Sequence, residues 1–94
     1  MIRRMLLTAE RLREVLSKKK GLADLIVWRE GYKFYALLLS PAYEGVDEAH
    51  RQAEAWGLVL DNLSDDEQAM VGFMYTKTPE EQAQAERDAA ADAP

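Results

Sequence analysis

Apolar residues recur with two different periods in the first part of the chain. Between Thr8 and Gly21 they fall at helical spacing, with Thr8 suited to cap a helix and Gly21 to end it after three lysines. We therefore predict a helix from Ala9 to Lys20. From Tyr32 to Leu39 the period changes to two, which is the pattern of a strand with one buried face.

A second β-rich run precedes this strand. It contains Leu25, Val27 and Trp28, and an Arg-Glu-Gly turn at residues 29–31 follows it. The two runs predict a β-hairpin in which residues 32–40 form a central strand hydrogen-bonded to residues 23–28. One helix from Leu25 to Leu39 also fits the apolar spacing, but Gly31 would then lie in its interior at a cost of about 1 kcal/mol.

The helical period returns after Pro41. Asp47 can cap this central helix, and spacings of three and four predict a buried stripe of Ala49, Ala53, Trp56, Leu60 and Leu63. We expect Trp56 to be largely buried, so that Trp56→Ala would cost about 3 to 5 kcal/mol. We also expect three further large side chains to fill the core together with Trp56: Met70, Phe73 and Met74.

Two capping boxes divide the C-terminal third. Ser64–Glu67 matches the first and Thr78–Glu81 the second, with Pro79 at the first helical position. Residues 69–76, which lie between them, fit either a strand or a helix. The last helix fades into an alanine-rich tail, so we expect one domain over residues 1–88 and a frayed acidic tail over residues 89–94.

Length and composition exclude several classes of protein. With 94 residues there is room for one domain with a thin core. The chain contains no cysteine, which excludes disulfides, thiolate nucleophiles and cysteine metal sites. Because no apolar run approaches the roughly 20 residues of a membrane helix and the N-terminal apolar segment is too short for a signal peptide, we expect a soluble, cytoplasmic protein.

Charge is divided unevenly along the chain. Residues 1–33 hold nine Lys/Arg and four Asp/Glu, whereas residues 34–94 hold three and thirteen. Binding to a phosphate backbone depends on clustered Lys and Arg, so we do not expect direct nucleic-acid binding. The acidic part is either a solvated surface or a face that meets a basic partner.

The residues that could carry chemistry form no catalytic or metal-binding motif. His50, the one histidine, has no cysteine to activate. Four carboxylates lack the alternating ligands and the glycine of a calcium loop, so we interpret them as helix-capping residues: Asp61, Asp65, Asp66 and Glu67. We predict no enzymatic activity, no cofactor and no metal.

Three segments, in this order and spacing, resemble the BolA family. "LTAERLRE" resembles its opening helix, "LLLSPAYEG" its strand-to-helix turn and "TKTPEEQAQAER" its closing helix, so the resemblance covers about residues 8–88. It implies an α+β fold of KH-like layout, a three-stranded sheet backed by helices in the order α-β-β-α-β-α, with the third strand on residues 69–76. BolA-like proteins are not enzymes. They bind monothiol glutaredoxins around an iron–sulfur cluster, and some regulate transcription.

The resemblance also assigns the family's functional positions. The Arg-His-Arg of its central helix falls on Arg51, Gln52 and Ala53, its cluster-ligating histidine on Met70, and its C-terminal tryptophan on Gln82. A thioether is a poor substitute for imidazole at an iron–sulfur centre, whose usual donors are thiolate and histidine. We therefore expect this chain to contribute no cluster ligand.

The turn "SPAYEG" joins the second strand to the central helix, and Gly45 permits its backbone angle. We expect its side chains Tyr43 and Glu44 to be exposed beside Arg51 and Gln52 and to bind a partner. The predicted function is a non-enzymatic interaction or regulatory module whose partner is a glutaredoxin-like protein or a regulatory complex. A homodimer is left open.

Two other functions fit the sequence. One is a small acidic inhibitor of the phage type, resembling an anti-CRISPR protein or a nucleic-acid mimic, that binds a basic complex. The other is a sigma-factor-like helix-turn-helix in "LSDDEQAMVGFMY" and "TPEEQAQAE", although no basic recognition helix follows these segments.

Overall fold

A three-stranded sheet with helices packed on one face forms the fold in the computed structural model, which describes residues 6–91. The strands lie in the order β1-β2-β3, with β1 antiparallel and β3 parallel to the central β2. In chain order the elements are α1 (Ala9–Leu16), β1 (Asp24–Glu30), β2 (Lys33–Leu39), a 3-10 turn (Pro41–Tyr43), α2 (Glu48–Asn62), α3 (Asp65–Gln68), β3 (Val71–Lys77) and α4 (Pro79–Ala91).

This architecture confirms the predicted α+β class and its KH-like layout. The β1–β2 hairpin forms as expected, with Trp28 opposite Tyr35, so the helix from Leu25 to Leu39 does not. The ambiguous segment is a strand, which also excludes the helix-turn-helix. None of the helices within residues 6–91 is long and apolar enough to cross a membrane.

Helix α1 ends at Leu16, four residues before the predicted end. Ser17 caps it, and its hydroxyl donates to the Arg13 carbonyl at 2.6 Å. The amides of Lys18 and Lys19 then bond three residues back instead of four, which closes the helix with a turn. Gly21, with φ of 81°, directs the chain towards β1.

The core lies between the sheet and the first two helices. In β2 every second residue is buried, because its inner face meets side chains from both helices. Leu12, Val15 and Leu16 of α1 are fully buried there. The inner face of the sheet contributes Phe34, Ala36, Leu38, Val71 and Met74.

The buried face of α2 differs from the predicted stripe. Arg51, Ala55 and Val59 are buried at spacings of four, followed by Leu63 beyond the helix. Four members of the predicted stripe were placed wrongly or only in part: Ala49, Ala53 and Leu60 are exposed, and Trp56 is half-buried. The helix is rotated because the long Arg51 side chain finds its partners only on the inner side.

Both capping boxes form as predicted. The Glu67 amide donates to Ser64 Oγ at 3.2 Å, and the Ser64 amide donates to Glu67 Oε1 at 2.9 Å. The Thr78–Glu81 pair repeats this arrangement at the start of α4. Asp61 caps no helix, since it lies exposed in the last turn of α2. Helix α4 continues to Ala91, into the segment predicted to fray, and residues 92–94 lie outside the described part.

The outer face of the sheet is apolar and partly open. Phe73, predicted in the core, lies on this face and is 41% exposed, whereas Met74 points inward and is buried and Met70 is half-buried. Trp28 stacks on Tyr35 with ring centroids 5.9 Å apart. A Cβ at position 72 would come within 2.7 Å of the Tyr35 ring, so only glycine permits this approach.

Two leucines that the sequence pattern places on the same stripe should differ in their effect on stability. We expect Leu63→Ala to lower the free energy of unfolding by about 2 to 5 kcal/mol, because this side chain is 5% exposed and its removal leaves a cavity. Leu60→Ala, at a position that is 59% exposed, should change it by less than about 0.5 kcal/mol. Urea denaturation followed by tryptophan fluorescence measures both. Equal losses would contradict the observed orientation of α2.

Candidate functional site

Arg51 is the polar centre of the junction between the 3-10 turn, α2 and the end of β3. Its side chain is almost fully buried. Nε donates to the Val46 carbonyl at 2.7 Å, Nη2 to Tyr43 at 2.8 Å and Nη1 to Thr76 at 3.2 Å. One guanidinium therefore donates to three backbone carbonyls that come from the turn, the segment after it and β3.

Glu81 neutralises the Arg51 charge from the first turn of α4. Its two oxygens accept from Nη1 at 2.7 Å and Nη2 at 3.3 Å, a two-pronged arrangement. The hydrogen bond from Arg51, followed by that from the Thr78 amide, lowers the pKa of Glu81. The same carboxylate therefore caps α4 and attaches it to α2.

The prediction that Tyr43 is exposed is wrong, because its side chain is buried with 2% exposure. Its ring lies between two cations, with Lys19 Nζ 4.5 Å and the Arg51 guanidinium 5.3 Å from the ring centre. Lys19 is held there by Glu54 at 2.7 Å. Burial, with a smaller effect of the Glu54 carboxylate, raises the pKa of Tyr43 to about 12.

The four residues predicted to bind a partner therefore lie at different depths. Tyr43 and Arg51 are internal, and Gln52 is half-buried with Nε2 donating to the Met74 carbonyl at 2.8 Å. Glu44 alone of the four is exposed. The structure brings them together around one turn, and their contact with a partner stays a prediction.

Beside Glu44 an acidic groove runs between the turn and α4. It has a volume of about 570 Å³ and is lined by Glu44, Thr78, Glu80, Glu81, Gln84, Ala85 and Asp88. Since Arg51 neutralises Glu81, three carboxylates remain to face solvent. The sequence contained a signal for this groove that was missed: Glu80, Gln84 and Asp88 recur at intervals of four, which places them on one face of a helix.

His50 and Met70 lie far apart. The His50 ring is 80% exposed at the start of α2, with Nδ1 2.5 Å from the Asp47 carboxylate. Hydrogen bonds from the His50 amide and ring lower the pKa of Asp47. The residues that follow His50 in α2, Arg51 and Gln52, donate to the carbonyls of Thr76 and Met74 in the second half of β3. Met70, in contrast, lies just before the first residue of β3. Met74 and Thr76 lie four and six residues beyond Met70 along the chain, which is an offset of about 13 to 20 Å for extended backbone.

Within residues 6–91 no three His, Cys, Asp or Glu side chains are grouped so as to hold a metal ion. An iron–sulfur cluster, which the family resemblance implies, would need thiolate or imidazole donors. The chain offers no thiolate, and its one imidazole lies on a different element from Met70. The residues present do not fit a cluster site at the family's position.

The sheet order, the parallel β2–β3 pair and the turn before α2 define the BolA fold. Two solved structures from Arabidopsis thaliana share it. BolA1 matches with a TM-score of 0.63 at 22% identity, and the BolA domain of SufE1 matches with 0.59 at 24%. Each match covers 78% of this chain and 93% of the other. The likeness to these two structures confirms the predicted fold. No family model and no curated protein matches the sequence.

Replacing Arg51 by lysine should destabilise the protein despite the retained charge. The planar guanidinium of arginine reaches three carbonyls and a carboxylate, whereas the ammonium of lysine is a single point of contact. Some of these buried acceptors would therefore lose their donors. We expect a loss of about 2 kcal/mol or more in the free energy of unfolding, measured by urea denaturation. Arg87→Lys on the exposed face of α4 is the matched control. No difference between the two variants would refute the structural role of Arg51.

The Glu81 carboxylate should make stability depend on pH in one direction. Its folded-state pKa is lowered from the ordinary 4.5, so its contribution is complete above about pH 4.5 and is lost as the pH falls through the lower folded value. Glu81→Gln lacks this group, so wild type should be the more stable at neutral pH and its advantage should shrink on acidification. Urea denaturation between about pH 7 and pH 3 measures this difference. A difference independent of pH would contradict it.

Proposed function

We propose that this protein is a non-enzymatic interaction module that binds a basic surface of a protein partner, a glutaredoxin-like protein or a regulatory complex. The docking surface is the acidic groove together with the turn that precedes α2. Glu44 contacts the partner directly, while Tyr43, Arg51 and Gln52 hold the turn in position.

The acidic groove is the observation that carries this proposal. Its carboxylates come from two elements, the turn and α4, that Arg51 ties together through the Tyr43 carbonyl and Glu81. A groove held in place before binding needs less ordering on association, which favours affinity. Its charge favours a partner with complementary Lys or Arg and speeds their encounter.

We also propose that the protein contributes no ligand to an iron–sulfur cluster. Met70 packs against the core at the position that the resemblance assigns to the family's ligand, and His50 lies on a different element, at the start of α2. Binding to a glutaredoxin would therefore rest on surface contacts and would be separable from cluster ligation.

A second candidate is the acidic inhibitor that binds a basic complex. The two carboxylates Glu80 and Asp88 on one face of α4 favour it, since acidic groups along a helix can imitate the charges of a phosphate backbone. The two candidates share the groove but differ in the identity of the partner.

Charge reversal in the groove should weaken binding to a monothiol glutaredoxin. We expect Glu44→Lys combined with Glu80→Lys to raise the Kd at least tenfold in isothermal titration calorimetry, because two attractive contacts become repulsive. The control is Asp61→Lys with Asp66→Lys, the same charge change at exposed positions outside the groove. If wild-type protein does not bind the monothiol glutaredoxin, the proposal that the partner is a glutaredoxin is wrong. Salt-sensitive capture of a basic nucleic-acid-binding complex from the native host would then favour the inhibitor.

Cluster ligation should be measured separately in the same mixture. We expect anaerobic reconstitution with the glutaredoxin to give the visible absorption and circular dichroism of the glutaredoxin holo-dimer alone. A distinct heterodimer spectrum that is lost in His50→Ala would show that the chain does supply a ligand. Asp61→Ala, a substitution at another exposed position of α2, is the control and should not change the spectrum.

A further inference from the structure

The outer face of the sheet is a regular grid of side chains. Registration of the strands places Ile26, Leu37 and Tyr75 in one row and Trp28, Tyr35 and Phe73 in the next. Trp28 stacks on both Tyr35 and Tyr75, with centroids 5.9 and 6.2 Å apart. Ile26, Phe73 and Tyr75 are 41–45% exposed although they are large and apolar. Aromatic residues with few charges among them are typical of the centre of a protein interface.

Charges border this grid unequally. The row beyond Ile26 contains Asp24, Leu39 and Lys77, so one corner on β1 is acidic and the facing corner on β3 is basic. Among residues 6–91, neither Asp24 nor Lys77 forms an ion pair. At the opposite end, Glu30 lies beside Lys33, whose Nζ donates to the Ala69 carbonyl at 2.5 Å.

We propose that the outer face of the sheet is a self-association surface that binds a second copy of this chain, with a two-fold axis running along β2. Such an axis leaves the direction of the strands unchanged and exchanges β1 with β3. It places Asp24 over Lys77 of the second copy twice, and the β1 residues Ile26 and Trp28 over the second copy's Tyr75 and Phe73. Two sheets packed face to face in this way bury both apolar grids.

The charges select this arrangement over others. An axis across the strands would place Asp24 over Glu30 of the second copy, acid on acid, which is unfavourable. A nucleic-acid ligand fits the face less well, since two acidic side chains and two lysines border it and backbone binding needs clustered cations.

The size of the face indicates a weak dimer. Three strands of about 20 Å at a spacing of about 4.8 Å form a plane of a few hundred Å². This is below the roughly 800 Å² per partner of a standard stable interface. We therefore expect monomer and dimer to exchange in the micromolar range or above, and this association to be independent of the acidic groove at α4.

Sedimentation velocity over a concentration series tests the surface. Wild type should shift from monomer towards dimer as concentration rises from about 1 μM to about 1 mM. Ile26→Lys should stay monomeric at the highest concentration, whereas Leu60→Lys, at a more exposed position on α2, should dimerise like wild type. A wild type that is monomeric throughout, or an Ile26→Lys variant that dimerises normally, would overturn the proposal.

Charge swapping tests the axis. Asp24→Lys places Lys over Lys in its own dimer and Lys77→Asp places Asp over Asp, so each variant alone should dimerise at least tenfold more weakly than wild type. An equimolar mixture should recover dimerisation, because the heterodimer contains two opposite-charge pairs. Circular dichroism of each variant verifies that it is folded. A folded pair of variants that fails to recover on mixing would overturn the two-fold arrangement.

Discussion

The guanidinium of Arg51 is the interaction on which the arrangement around the turn depends. A charged group that is 8% exposed must have its donors satisfied and its charge balanced, or its burial would cost several kcal/mol. Here the donors reach carbonyls of the turn and of β3, and the charge is balanced by Glu81 on α4. One side chain therefore fixes where the turn ends and where the last helix begins.

This network also explains why the groove beside it is acidic. Arg51 is turned inward and paired with one carboxylate, so it adds no positive potential to the solvent side, where Glu44, Glu80 and Asp88 remain. Tyr43 is buried for the same reason. Its ring contacts the Lys19 ammonium and the Arg51 guanidinium, so it adds a cation–π contact to two cations that already have carboxylate partners. The polar interior and the acidic exterior of this region thus both follow from the inward orientation of the Arg51 side chain.

Features that depend on local chemistry were predictable from the sequence, and features that depend on distant partners were not. Alternation in β2 and the two capping boxes involve residues within a few positions of each other, and the structure has them as predicted. The predicted orientation of α2 was wrong because hydropathy places Arg51 on the outward face of the helix. The residues that bind its side chain inside the protein lie 5 to 30 positions away along the chain. The prediction for Tyr43 failed for a similar reason, since its ring packs with Lys19, which lies beyond the end of α1 and far from Tyr43 along the chain.

The contacts that maintain the fold and the positions that would ligate a cluster are different residues. Met70 at the family's histidine position packs on the core, and Gln82 at its tryptophan position donates to Glu86 at 3.2 Å on the surface of α4. Neither takes part in the hydrogen bonds of Arg51. The two positions that the resemblance marks as different from the family therefore lie outside the interactions that join the turn to α4. The likeness to the BolA fold at 22–24% identity therefore extends to a chain in which Arg51 and Glu81 join the turn to the last helix, with neither Met70 nor Gln82 in that network.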